Sequence, residues 1–139
     1  MTEPEAEIQV RVMGRDDVPA AADALAAAFY DDPLFAWLLP SAATRRRRLR
    51  RFFTTELRCW PQRGGSVQVA YASGRILGAA LWYPPDCWKP EQVELSALVG
   101  YLRAYGRRFS RATHCYASAA RAQPTRATAL VPRVHRREP

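Results

Sequence analysis

Residues 67–83 constrain the fold more than any other stretch. Val67, Val69 and Tyr71 alternate with Gln68 and Ala70, the two-residue period of a strand with one buried face. Ser73-Gly74 supplies a tight turn, and Ile76 to Tyr83 then reads as a second strand of nearly unbroken apolar character. A strand written Ile-Leu-Gly-Ala-Ala-Leu-Trp is expected to be buried on both faces.

The flanking segments are mostly helical in pattern. Ile8, Val10 and Val12 alternate with Gln9 and Arg11, predicting a half-buried strand that ends at Gly14. Asp16 or Asp17 can cap the next helix, which has Pro19 in its first turn and runs on alanine-rich sequence to Phe29. Asp31-Asp32-Pro33 breaks it, and a short apolar segment, 34–39, leads to Pro40. Ser41 or Thr44 can open a helix reaching about Trp60. Leu49, Phe52, Phe53, Leu57 and Trp60 lie on one stripe of it, and Arg47, Arg48, Arg50, Arg51 and Arg58 fall mostly outside that stripe. Pro61 and Gly64-Gly65 end this helix. Beyond Pro84-Pro85, a helix opening at Pro90 turns Val93, Ala97, Leu98, Tyr101, Leu102 and Tyr105 inward, and a last amphipathic stretch covers roughly 110–122. The order strand-helix-helix-strand-strand-helix-helix is α+β, with a mixed or antiparallel sheet.

With 139 residues the chain makes one domain at most, and 48% hydrophobic with 24% charged residues excludes wholesale disorder. The net charge of +8 is carried almost wholly by arginine, Lys89 being the one lysine. Such a balance suits nucleic acid, an anionic ligand or an acidic surface. Cys59, Cys87 and Cys115 are odd in number and far apart, so they read as free thiols in a reducing compartment. The acidic, polar N-terminus is not a secretory signal, no apolar run is long enough to span a bilayer, and a cytoplasmic location with no membrane partner is expected.

Three segments together resemble the GNAT superfamily of N-acetyltransferases, and within it the puromycin N-acetyltransferase-like branch. They are Val-Arg-Val-Met-Gly-Arg-Asp-Asp-Val-Pro (10–19) leading to Leu-Ala-Ala-Ala-Phe-Tyr-Asp-Asp-Pro (25–33), the Arg-rich helix with Leu49, Phe52 and Phe53, and the hairpin 67–82. The resemblance implies a GNAT-like fold and transfer of acetyl from acetyl-CoA to a small-molecule or peptide amine by direct attack. It covers residues 8–125, the substrate-side part of such a domain, and leaves 126–139 as a non-homologous basic tail. The family continues with a strand written like His-Trp-Tyr-Leu and a Gln/Arg-x-x-Gly-x-Gly loop. There, backbone amides at a helix start hold the cofactor pyrophosphate. No Gly-x-Gly follows the hairpin here, and Gly64-Gly65 precedes a strand. Back-translated with permitted codons and read one nucleotide later, the residues from Ala129 spell His-Trp-Tyr-Leu-Gly, which predicts a frameshift between about Pro124 and Arg126. The expectation is therefore an incomplete GNAT-like fold with no catalytic or cofactor-binding residue, which does not bind acetyl-CoA and transfers no acetyl group. Its hairpin strand 76–83 would lack a neighbour, with 127–131 as a short substitute.

Candidates for an amine-substrate side remain. Asp31 and Asp32 can attract a cationic amine or serve as turn chemistry. Phe35 and Trp37 can wall a pocket or fill the core. Trp82 and Tyr83 end the hairpin at the cleft the family uses. Glu56 projects onto the middle of an apolar stripe, where a carboxylate is costly unless paired; it is a candidate substrate acid, or it lies at a rim or pairs with a nearby arginine. The alternative function is a small basic nucleic-acid-binding protein using the Arg-rich helix 45–51, against which stands a solvated outer face. His114, Cys115 and His135 lack metal-ligand spacing.

Overall fold

A computed structural model of the chain describes residues 7–84 and 95–122. The elements are β1 (Gln9–Val12), α1 (Val18–Ala28), α2 (Pro33–Leu38), α3 (Ala42–Cys59), β2 (Ser66–Ala72), β3 (Arg75–Trp82), α4 (Leu95–Tyr105) and α5 (Phe109–Ala122). Short 3-10 turns, 15–17, 61–63 and 106–108, precede α1, β2 and α5. The fold is α+β. The expected helix start at Pro90, the inward Val93, Cys87 and the whole of 126–139, with its strand 127–131, lie outside the described residues.

The sheet is antiparallel in the order β1-β2-β3. Its hairpin turn is the one the sequence predicts. Ser73 and Gly74 both have positive φ, 49° and 74°, the pair of left-handed residues that a two-residue turn needs to match strand twist. Val67 stands opposite Leu81, and Val69 opposite both Ala79 and Arg11. Val67 and Val69 are buried and join the helical core, with Ile76, Ala79 and Leu81 packed beside them.

The other face of the sheet differs from expectation. Val10 and Val12 pair with Ala70 and Gln68, away from the helices, and are 63% and 66% exposed. β1 is thus exposed along its length where a half-buried strand was expected, because the helices cover only the face that carries Val67 and Val69. Nor is β3 buried on both faces. Leu77 and Trp82 are exposed, and among the described residues β3 has β2 as its one strand neighbour. The helix-side residue Arg11 is held by Asp17, 2.5 Å away, and lies over the Tyr71 ring. That hydrogen bond and the Gly14 amide hold the Asp17 carboxyl down to about 2.

Alanine is what lets α1 approach its neighbours closely: Ala21, Ala22 and Ala26 are fully buried with Leu25 against α3. The segment 34–39, expected as a simple apolar connection, contains the helix α2. Its cause is Asp32, whose Oδ1 accepts the Leu34 and Phe35 amides at 3.0 and 3.1 Å, with Pro33 at the first helical position. On α4, Ala97 and Tyr105 are buried as expected and Ala104 is buried as well, whereas Leu102 is exposed; it lies about 100° around the helix from Tyr101.

Two arginines of the run 45–51 point inward. Arg45 donates to the carbonyls of Leu39, Tyr30 and Pro40 and stacks on the Tyr30 ring, fastening the ends of α1 and α2 to the start of α3. Arg48 donates to the Ala104 carbonyl at 3.1 Å, satisfying a group at the end of α4.

Where α3 crosses α4 the contact needs a glycine. A Cβ on Gly100 would stand 2.1 Å from Thr55 Oγ1 and 3.0 Å from Thr55 Cβ. Rotating the threonine relieves the first clash and leaves the second. Gly100→Ala is therefore expected to cost about 1–3 kcal/mol, despite alanine's better helix propensity. Thermal unfolding of Gly100→Ala with and without Thr55→Ala checks this: the second change should restore part of the loss, and a Gly100→Ala variant as stable as the parent would refute the close crossing.

Candidate functional site

α3 turns Leu49, Phe53 and Leu57 into the core, and Glu56 shares that inward side. A carboxylate there needs a partner. It finds one on α4, where the Tyr101 hydroxyl donates to Glu56 Oε1. Arg63, in the turn after α3, donates through a terminal nitrogen to the same hydroxyl at 3.2 Å. Carboxylate and guanidinium are joined through a phenol and make no direct ion pair, and Arg63 Nε is buried without a partner among the described residues. Burial pushes the Glu56 carboxyl up, with the Tyr101 hydrogen bond and the Arg63 charge opposing. Burial also pushes Tyr101 up, reinforced by the Glu56 charge.

Two more tyrosines extend this polar seam. Tyr105 and Tyr116 share a hydrogen bond at 3.0 Å between α4 and α5. Burial raises both hydroxyls, Tyr116 to about 12. Phe52 packs against the Tyr101 and Tyr105 rings at 6.1 and 5.7 Å and walls the seam from the core. One turn beyond Glu56, Trp60 donates its indole N–H to the Trp82 carbonyl at 3.0 Å and stacks on Tyr83 at 4.3 Å. The end of β3 is thereby pinned beside the end of α3.

Glu56, Trp82 and Tyr83 are thus brought to one end of the molecule, with Trp60 as the link. The remaining candidates lie elsewhere. Phe35 is buried in a ring cluster with Phe29, Phe52 and Phe53 and walls no opening. Asp32 is committed to capping α2. Asp31 is exposed in the turn before it. Trp37 is exposed, with the Arg111 guanidinium 5.0 Å from its ring, and connects α2 to α5. The sequence reading missed Tyr101, Arg63, Tyr105 and Tyr116 as polar partners. Tyr101 and Tyr105 were placed facing inward, and a buried phenol requires a hydrogen-bond partner, so that requirement was the available signal.

No family model matches the chain, and no curated protein does. Among the described residues there is no His/Cys/Asp/Glu group able to hold a metal, and no helix long and apolar enough to cross a membrane. What the seam offers chemically is a carboxyl group with its proton affinity raised and no cation in direct contact. Such a group accepts a proton from, or pairs with, an ammonium ion that reaches it.

Proposed function

We propose that residues 8–125 form the amine-binding side of a GNAT-type N-acetyltransferase, an enzyme class that uses acetyl-CoA to acetylate a small-molecule or peptide amine. In support, the three resembling segments assemble as one layered unit. β1 pairs with the β2–β3 hairpin, and α1 and α3 pack together on a single face of that sheet. The observation that carries the reading is Glu56, a raised carboxyl held by Tyr101 one helical turn before Trp60, the residue that holds the aromatic end of the hairpin. It is the feature an ammonium group recognises.

The residues present do not fit the cofactor. The described glycines include no Gly-x-Gly loop opening a helix; Gly64, with φ of 81°, terminates a helix and leads into β2. No array of unpaired amides suited to a pyrophosphate is formed there. Residues 1–139 are expected to show no acetyl-CoA binding in calorimetry.

The test is to express the coding sequence as it stands and with the frame advanced by one nucleotide after codon 125. The advanced frame should bind acetyl-CoA and release a free thiol when offered primary amines, and Glu56→Gln should weaken amine binding in it. A closed frame, or an open one without cofactor binding, overturns the reading.

A further inference from the structure

The arginine run resolves into different roles in three dimensions. Arg45 and Arg48 bind carbonyls inside the fold, and Arg50 pairs with Asp23 at 3.1 Å. Arg47, Arg50 and Arg51 line a groove of about 790 Å³ between α3 and α4, with Pro19 of α1 at its edge, joined by Arg58 from farther along α3 and Arg103 from α4. Thr54 and Thr55 line the same groove, and no carboxylate does. Among the described residues, Arg50 has Asp23 as its partner, and the other four, Arg47, Arg51, Arg58 and Arg103, have no acidic partner. Four guanidinium groups converging without counter-charge repel one another, and an anion lying along the groove removes that cost.

The spacing says what shape of anion. Positions 47, 51, 54 and 58 fall within a stripe about 60° wide on α3 and rise about 16 Å along its axis. A single phosphate or carboxylate reaches one or two of these groups. One nucleic-acid strand, a continuous row of phosphates, sets several of them along the stripe. Arginine suits phosphate oxygens because its fork donates two parallel hydrogen bonds. The groove lining includes no aromatic side chain, so it provides no platform for bases and no means of reading them. Its walls, formed by two crossing helices, favour a strand over the flat surface of a bilayer. We propose that this groove binds the phosphate backbone of a nucleic-acid strand without regard to sequence. The site lies about 160° around α3 from Glu56 and is independent of the amine reading.

Fluorescence anisotropy of the full chain with a labelled oligothymidylate, between about 50 and 200 mM salt, tests this. With four phosphate contacts, log K should fall against log salt with a slope of about −2.8. Arg51→Ala with Arg58→Ala should reduce the slope to about −1.4, and Arg103→Ala alone should reduce it by about 0.7. Arg46→Ala with Arg75→Ala removes equal charge from exposed positions outside the groove and should leave the slope unchanged. Far-UV circular dichroism identifies any variant that fails to fold, and the Arg103 variant keeps the test open should the double variant do so. Equal losses in both double variants, or none in either, would overturn the groove as the site. Phosphatidylserine vesicles that displace the oligonucleotide at lower phosphate concentration would overturn nucleic acid as its occupant.

Discussion

Phe53→Ala is expected to lower the unfolding free energy by about 3–5 kcal/mol. Phe53 is buried, and its ring lies 5.1, 5.3 and 5.9 Å from those of Phe52, Phe29 and Phe35. The four rings come from the end of α1, from α2 and from α3, so the cavity would open at the junction of all three. Alanine-rich α1 has few long side chains with which to refill it, which places the expected loss towards the upper end of the range. Since small domains are stable by only about 5–15 kcal/mol, such a variant loses a large share of its margin. Urea titration followed by circular dichroism measures it, with Phe53→Leu as a milder control expected to cost less than about 1.5 kcal/mol. A loss below about 1 kcal/mol would mean that the rings do not pack as a unit.

Two variants of the Glu56–Tyr101–Arg63 seam are expected to shift stability in opposite directions above neutral pH. Tyr101→Phe deletes the hydroxyl that donates to Glu56 and accepts from Arg63. It leaves a largely buried carboxylate unsatisfied and should cost about 1–3 kcal/mol near neutral pH. Glu56→Gln keeps a carbonyl acceptor for Tyr101 and removes the charge. The folded state raises the Glu56 carboxyl above its ordinary value of 4.5, so ionisation weakens the parent as pH rises from that value towards the raised one. Below it, Glu56 is neutral in both folded and unfolded chains, and the difference disappears. Glu56→Gln should therefore melt higher than the parent at about pH 8 and equally at about pH 3. A glutamine variant that melts lower at high pH would show that the carboxylate is stabilised by its neighbours and that its proton affinity is not raised.

Local signals were readable where chemistry is local. The left-handed pair Ser73-Gly74 fixed the hairpin, and Pro61 with Gly64 fixed the end of α3, since each depends on backbone preferences of a few adjacent residues. The α2 helix escaped because a six-residue helix shows too little periodicity; its cause is the cap at Asp32, whose sequence context reads as a helix break, a turn or an amine contact. The exposure of Val10 and Val12 and the open side of β3 were not legible, because alternation marks a face without saying what covers it. For the candidate site, the odd position of Glu56 was visible from helical spacing. Its partner Tyr101 was not, because that contact joins residues 45 positions apart through the α3–α4 crossing. The run 45–51 looked uniform in sequence, yet Arg45 and Arg48 turn to carbonyls while Arg47, Arg50 and Arg51 line the groove, Arg50 also pairing with Asp23.

The register of β1 sets a condition on how the chain is made. Val12 pairs with Gln68, and among the described residues no other strand borders β1. Its partner therefore emerges from the ribosome some 55 residues later, roughly 3 to 11 s at ordinary rates of synthesis. For that interval Ile8, Val10 and Val12 are an extended apolar segment without a template, while α1, α2 and α3 can already begin to pack on one another. β1 is thus among the last of the described elements to find its place, and its backbone groups have no strand to pair with until the hairpin arrives.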